Sequence, residues 1–361
     1  MTTVVHIDRD RFHINGRPTY EGLDHHGLPV EGLLFNARLV QGLFDDLNDE
    51  TRGRWAYPDT GEWDPERNVR EFLAKMPEWR AQGLLGFTLN LQGGNPVRGS
   101  GPGGPVPLEQ PWHVSAYLED GSLRIDWMDR LARILDEADR LGMIVILGLF
   151  YFGQDHRLRD ARAVRTGAEN VLGLLSDQGR RNVVVEVANE CNVPRYSHDV
   201  LTPGGIVAFI RELRTSTRTE VPLSASYAGF PEDAVPSEEL LDVVDLALLH
   251  GNLIHDPKDF VRVIRETRDN LRGRPLPIVF NEDNHFDFDA HDSHLRLALE
   301  HYASWGYFDP GAAGDYHDGY QCPPVNWAST TQRKRDFFRA VNDITTGIGS
   351  PATALVEGAP R

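Results

Sequence analysis

The segments VVVEVANEC at 183–191 and PIVFNED at 277–283 decide how this chain is read. Each is a run of apolar, largely β-branched residues that ends in Asn-Glu or carries it near its end. Such a run is the pattern of a parallel strand buried on both faces, whose last side chains emerge at the carboxyl edge of the sheet. In closed α/β sheets that edge carries the chemistry. Glu190 and Glu282 are therefore expected on one rim of one sheet.

Working outward from these two runs, strand-like stretches recur at 33–44, 84–92, 143–152, 221–227, 245–252 and 307–313. Amphipathic stretches with apolar residues at three- and four-residue spacing follow them, as in IDWMDRLARILDEADRLG at 125–142. Eight strand-helix units without a break in composition predict a single α/β domain, a (β/α)8 TIM barrel over residues 26–348, because eight parallel strands can close on themselves. Residues 1–25 read as an N-terminal β-hairpin capping the barrel, with Asn15-Gly16 as its turn. Residues 349–361 read as a flexible tail. Glycine- and proline-rich stretches at 93–119 and 314–327 are too long for ordinary connections and are expected as loops on the catalytic rim. The glycines of the first lack the Lys-Ser/Thr of a phosphate loop.

With 37 basic against 54 acidic residues the net charge is −17, which opposes phosphate backbones and anionic lipid surfaces, so neither nucleic acid nor membrane is an expected partner. No run approaches the roughly 20 apolar residues that span a bilayer. Charges at Asp8, Arg9, Asp10 and Arg11 interrupt the stretch where a secretory signal would be apolar, so a cytoplasmic location is expected. Two cysteines, Cys191 and Cys322, are too few for a disulfide framework, and Cys191 reads as a buried thiol packed behind the site.

Two carboxylates facing one another across a pocket suit glycosidic bond cleavage, one protonating the leaving oxygen and the other meeting the oxocarbenium-like centre. An Asn-Glu ending strand four and a Glu ending strand seven of one barrel resembles the clan A retaining glycoside hydrolases, the cellulase and β-mannanase (4/7) superfamily. The resemblance implies a cofactor-free β-glycosidase working by double displacement, with Glu190 as acid/base, Glu282 as nucleophile and Asn189 touching the sugar's 2-hydroxyl. The clan's strand-two arginine, which supports the nucleophile, has no counterpart in GFTLNLQGG at 86–94. His250 and Asn252 from strand six, then Asn90 from strand two, are therefore expected to hold Glu282 ionised.

Further contacts to a small carbohydrate are expected from Tyr227, Gln92, Trp112, Tyr151, Asp309 and Trp327. The loop aromatics Trp55, Tyr57, Trp63, Phe152, Tyr316 and Tyr320 are further candidates for stacking on the apolar faces of sugars. Two alternatives stay open: a carbohydrate-binding barrel without turnover, and a metal-dependent barrel hydrolase using Asp24, His25 and His26. No metal is expected, since no His-x-His occurs. The acidic run 283–292 reads as a solvated loop. A homo-oligomer is possible on this reading, and an intracellular enzyme would trim an oligosaccharide or glycoside rather than a polymer.

Overall fold

The computed structural model describes residues 2–97 and 110–346. The expected tail at 349–361 and residues 98–109 of the first long loop lie outside that range.

Three short strands, β1 (Val5–Asp8), β2 (Arg11–Ile14) and β3 (Arg17–Pro18), form an antiparallel sheet. Asn15 and Gly16 between β2 and β3 both have positive φ, 53° and 80°, the pairing that two-residue hairpins favour. A small hairpin of β4 (Asp24–His25) and β5 (Leu28–Pro29) follows. The main sheet then runs through β6 (Asn36–Arg38), β7 (Gly86–Asn90), β8 (Ile144–Phe150), β9 (Val183–Ala188), a fifth strand in two halves, β10 (Leu223–Ser224) and β11 (Ser226–Tyr227), then β12 (Ala247–His250), β13 (Ile278–Glu282) and β14 (Gly306–Tyr307).

All neighbours in that sheet are parallel, and β14 pairs back onto β6. The seam between β13 and β14 is held by parallel bridges at Val279–Ser304 and Asp283–Tyr307 and by the Phe280 amide donating to the Ser304 carbonyl. The sheet is thus closed, as the sequence predicted. Around it lie α1 (Asp49–Arg52), α2 (Pro65–Ala81), α3 (Ile125–Leu141), α4 (Ala161–Asp177), α5 (Pro203–Thr217), α6 (Glu238–Leu241), α7 (Pro257–Asn270), α8 (His294–Glu300) and α9 (Gln332–Thr346). Asp64, Asp160, Asp256, Ser237 and Ser293 cap the starts of α2, α4, α7, α6 and α8 by accepting from first-turn amides. No described helix is long and apolar enough to cross a membrane.

Alternate residues of each strand divide between two apolar groups. Val145, Leu147, Val183 and Val185 join the shell packed under the helices, whereas Ile144, Ile146, Val184, Leu246, Leu248 and Val279 fill the lower barrel. Val5 and Phe12 of the N-terminal sheet complete this lower cluster and close the barrel's floor. Continuing the inward alternation upward, the interior turns polar, with Asn36, Arg38, Thr88, Asn90, Glu186, Ser224, Ser226 and His250 all buried. Apolar layers below and polar layers above place the chemistry at the upper rim.

Two expected strands are shorter than read. The run at 33–44 pairs only at Asn36–Arg38 and then turns into a 3-10 segment at Val40–Leu43, since an apolar run marks burial without distinguishing a strand from a buried turn. The run at 307–313 pairs only at its start, because Asp309 and Pro310 carry the chain away from the ladder.

β14 leaves no room for a side chain at Gly306. A Cβ there would stand 2.2 Å from Asn36 Oδ1 and 2.7 Å from the Phe280 carbonyl oxygen. Gly306→Ala is expected to lower the unfolding free energy by about 1–3 kcal/mol in urea titrations, and a neutral result would mean that the β13–β14–β6 seam is looser than described.

Candidate active site

β9 ends at Ala188, and Asn189 and Glu190 follow at the rim. Glu190 has φ 49°, a left-handed conformation that costs a residue with a Cβ roughly 1–2 kcal/mol. Such strain is retained where the surroundings hold it, commonly at functional sites. Glu282 ends β13. Strict alternation along β13 would point Glu282 outward, because Val279 faces in and Phe280 packs in the outer shell. The β12–β13 register shifts between Leu249 and His250, and that irregularity re-aims the strand end so that Glu282 meets His250 and Arg38.

Arg38, at the end of β6, is the centre of the site. Its Nε lies 2.7 Å from Glu282 Oε2 and its Nη2 donates to Asn189 Oδ1 at 2.8 Å. Asn252 Nδ2 donates to the other oxygen of Glu282 at 2.7 Å. His250 Nδ1 stands 2.8 Å from Glu190 Oε1 and 3.4 Å from Glu282 Oε2. A carboxylate oxygen from each glutamate and the imidazole nitrogen all lie within 4.8 Å of one another. The two carboxylates differ in surroundings, since Arg38 and Asn252 bond Glu282, while Glu190 faces His250 and is the more open at 9% exposure against 3%.

Burial works against charge on Arg38 and on His250, and in both cases the neighbouring carboxylates outweigh it. Glu282 and Glu186 keep the guanidinium firmly charged. The charge of Glu282, with the hydrogen bond and charge of Glu190, raises the imidazole's pKa. Glu186 behaves in the opposite way: burial inside the barrel raises its pKa, with Arg38, His250 and the Ser226 hydroxyl only partly offsetting it. Of these carboxyls, Glu186 is the one whose neutral form burial favours.

Of the residues expected at the site, Asn189, His250 and Asn252 converge on the glutamates. Tyr151 and Tyr227 lie near the rim with small exposed fractions, and Tyr151 stacks on Phe152 at 4.4 Å. Asn90 sits a layer lower, in register with Gly148 and Glu186. Four of the expected contacts are engaged with protein partners. Gln92 spends its amide inside a loop core, on Ser115 Oγ and the Gln154 carbonyl, and accepts from the Tyr151 amide. Trp112 is buried on Trp55 and bonds Gln110. Trp327 is buried against Phe72 and Tyr320 and bonds Asn68. Asp309 binds Arg333 and the Tyr307 hydroxyl. Trp55, Tyr57, Trp63 and Tyr320 are likewise buried, since long loops on this rim carry an apolar core of their own.

Asp24, His25 and His26 do not form a ligand set. Asp24 accepts from the Gly27 amide, and their hairpin packs against α8 and α9 outside the barrel. The run after Glu282 is not merely solvated either. Asp283 is fully buried and takes four N–H donors: the His285 amide and Nδ1, His294 Nδ1 and Trp305 Nε1. Burial opposes its charge, but His294 and His285 outweigh it and hold the carboxyl at about 2, while His285 is raised in turn. This cluster and the Glu190, His250 and Glu282 group have the donor types of a cation site. In the first, N–H donors already fill the carboxylate, and in the second Arg38 is paired with Glu282.

Arg38 and Glu186 are not among the residues that sequence reasoning singles out. Their signal was present in LLFNARLV and VVVEVA, where a charge at an inward position interrupts an otherwise apolar run.

No family model and no curated protein matches the sequence. Solved structures with the same fold do. A glycoside hydrolase family 5 protein from Bacteroides vulgatus aligns at TM-score 0.55 and 10% identity, over 94% of this chain and 70% of its own. A broad-specificity family 5 endoglucanase from Clostridium acetobutylicum aligns at 0.52 and 12% identity, over 86% and 97%. A family 5 mannosidase from Rhizomucor miehei, in complex with mannosyl-fructose, aligns at 0.52 and 12%, over 96% and 98%. The fold is therefore that of the family 5, clan A barrels, and the resemblance read from the sequence is borne out at the level of the fold.

Arg38→Leu strands Glu282 in the barrel and should cost about 3–5 kcal/mol in chemical denaturation at pH 7; a loss below 1 kcal/mol would show that water or Asn252 compensates. The Asp283 cluster carries a pH signature. Asp283 stabilises the fold above the ordinary carboxylate range and loses this as pH falls through about 2, whereas the raised His285 stabilises below about pH 6.5 and loses this as pH rises through its folded value. Asp283→Asn should therefore cost about 3 kcal/mol at pH 6 and less at pH 9. An equal deficit at both would remove His285 from the account.

Proposed function

We propose that this protein is a retaining β-glycoside hydrolase in which Glu282 is the nucleophile and Glu190 the acid/base. The observation that supports this best is the asymmetric meeting of the two glutamates, with oxygens within 4.8 Å on a shared imidazole and Arg38 and Asn252 bonded to only one of them. Carboxyl groups about 5–5.5 Å apart suit direct attack, whereas inversion needs roughly 6.5–9.5 Å to admit a water.

Each group then has a task. Arg38 and Asn252 hold both oxygens of Glu282 and orient it beneath the anomeric carbon. The guanidinium compensates its charge until the glycosyl ester forms. Because Arg38 donates to Asn189 Oδ1, the asparagine's NH2 is directed away from Arg38 and is available to a sugar hydroxyl. His250 and Glu190 share a proton along their 2.8 Å contact, and that proton is the one delivered to the leaving oxygen. Once the ester forms, Glu282 no longer carries charge, and Glu190 takes a proton from the attacking water. The neighbours act on glucans and mannosides by name, so β-linked glucosides and mannosides of short oligosaccharides are the substrates to try first.

A panel of aryl β-glucosides, β-cellobiosides and β-mannosides tests this. Glu190→Ala should keep most activity on a 2,4-dinitrophenyl glycoside, lose about 10²–10⁴-fold on a phenyl glycoside, and give a β-glycosyl azide when azide is added. Glu282→Ala should lose about 10⁴-fold or more on both. The reverse pattern would exchange the roles. Binding of oligosaccharide without any turnover by the unmodified protein would favour a carbohydrate-binding barrel.

A further inference from the structure

The left-handed turn at Glu190 is stitched to the fifth strand and the residue after it by backbone and side-chain hydrogen bonds. The Glu190 amide donates to Ser226 Oγ at 2.8 Å, the Cys191 amide to the Ser226 carbonyl at 2.9 Å, and the Ala228 amide to Asn192 Oδ1 at 2.8 Å. The first two end on one residue, Ser226. In a regular parallel ladder the carbonyls of the neighbouring strand receive such amides. Here the strand halves β10 and β11 are separated at Ala225, and with φ at 49° the Glu190 amide is met by a side-chain oxygen instead. Ser226 is fully buried, so its rotamer is set by packing, and its hydroxyl oxygen accepts the Glu190 amide.

We propose that Ser226 is a positioning residue for proton delivery: its hydroxyl clamps the strained Glu190 backbone and so aims the carboxyl at His250 and the leaving-group oxygen. The inference rests on Glu190 being the acid/base. A residue with a Cβ leaves the left-handed region readily unless its amide is held there. Relaxation of that one torsion swings the carboxyl away from the 2.8 Å contact with His250. Glu282, held by Arg38 and Asn252 on other strands, stays in place. Loss of the clamp therefore weakens protonation of the leaving group and spares nucleophilic attack.

That separation distinguishes positioning from general loosening. Ser226→Ala removes the hydroxyl, and Ser226→Cys keeps nearly its volume but offers only a weak acceptor. Both are to be compared with the unmodified enzyme and Glu190→Gln, using the 2,4-dinitrophenyl and phenyl forms of the best aryl β-glycoside. Both Ser226 variants should lose at least tenfold in kcat/KM on the phenyl glycoside and stay within about twofold on the dinitrophenyl one, and Ser226→Thr, which keeps the hydroxyl, should recover the phenyl rate. Equal losses on the two glycosides, or none, would overturn the clamp provided Glu190→Gln shows the leaving-group-selective loss. If Glu190→Gln lacks that selectivity, the acid/base assignment fails, and the clamp with it. A Ser226→Ala protein that does not fold leaves the decision to the Cys and Thr variants, whose rates must differ in the stated direction.

Discussion

Arg38 and Glu282 meet at 2.7 Å inside the upper barrel, where each side chain is almost closed to water. An isolated charge in such a place is strongly disfavoured, and even a pair recovers its desolvation cost only with good geometry and further hydrogen bonds. The rest of the site can be understood from that requirement. Asn252 takes the second oxygen of Glu282, Asn189 takes a second donor of Arg38, and His250 approaches both glutamates from strand six. The β12–β13 irregularity matters for the same reason, since without it Glu282 would point into the helical shell.

The same constraint gives two identical side chains different surroundings. Glu282 is fixed by a cation and an amide and has little freedom. Glu190 stands on a strained backbone at the rim, more open, with a titratable imidazole as neighbour. Separate environments of this kind are how one fold keeps an acid and an anion side by side. Just behind Glu282, Asp283 turns the other way and locks onto His285, His294 and Trp305, which fixes the strand end from outside the barrel. A Cβ at Gly251 would lie 2.2 Å from Asp283 Oδ2, so the segment carrying His250 and Asn252 is seated directly on that lock.

Much of the barrel was legible in the sequence because its period is simple: apolar runs alternating with 3.6-residue amphipathic stretches, and Asn-Glu at the ends of two runs. The N-terminal hairpin was legible through Asn15-Gly16. What escaped depended on contacts between distant residues. Arg38 reads as one charge in LLFNARLV, and only closure of β14 onto β6 brings that strand beside β13. Trp112 and Trp327 read as surface aromatics because they occupy loops, yet those loops are thick enough to bury indoles, with Gln110 and Asn68 as partners. Asp283 looked like the start of an acidic surface loop, and its histidine partners lie two and eleven residues ahead, on no recognisable period. His250 and Asn252 stand out in the sequence because they follow an apolar run, the same signal that marks the glutamates.

The central claim is that Glu282, held by Arg38, attacks the sugar. It is tested most directly by incubating the protein with a 2,4-dinitrophenyl 2-deoxy-2-fluoro-β-glycoside, which slows breakdown of a glycosyl ester, and mapping the label by mass spectrometry of proteolytic peptides. The account predicts one sugar per chain, carried on Glu282, and no label in Arg38→Leu under the same conditions. A label on Glu190, or steady turnover of good aryl glycosides to the inverted anomer with no label anywhere, would contradict it.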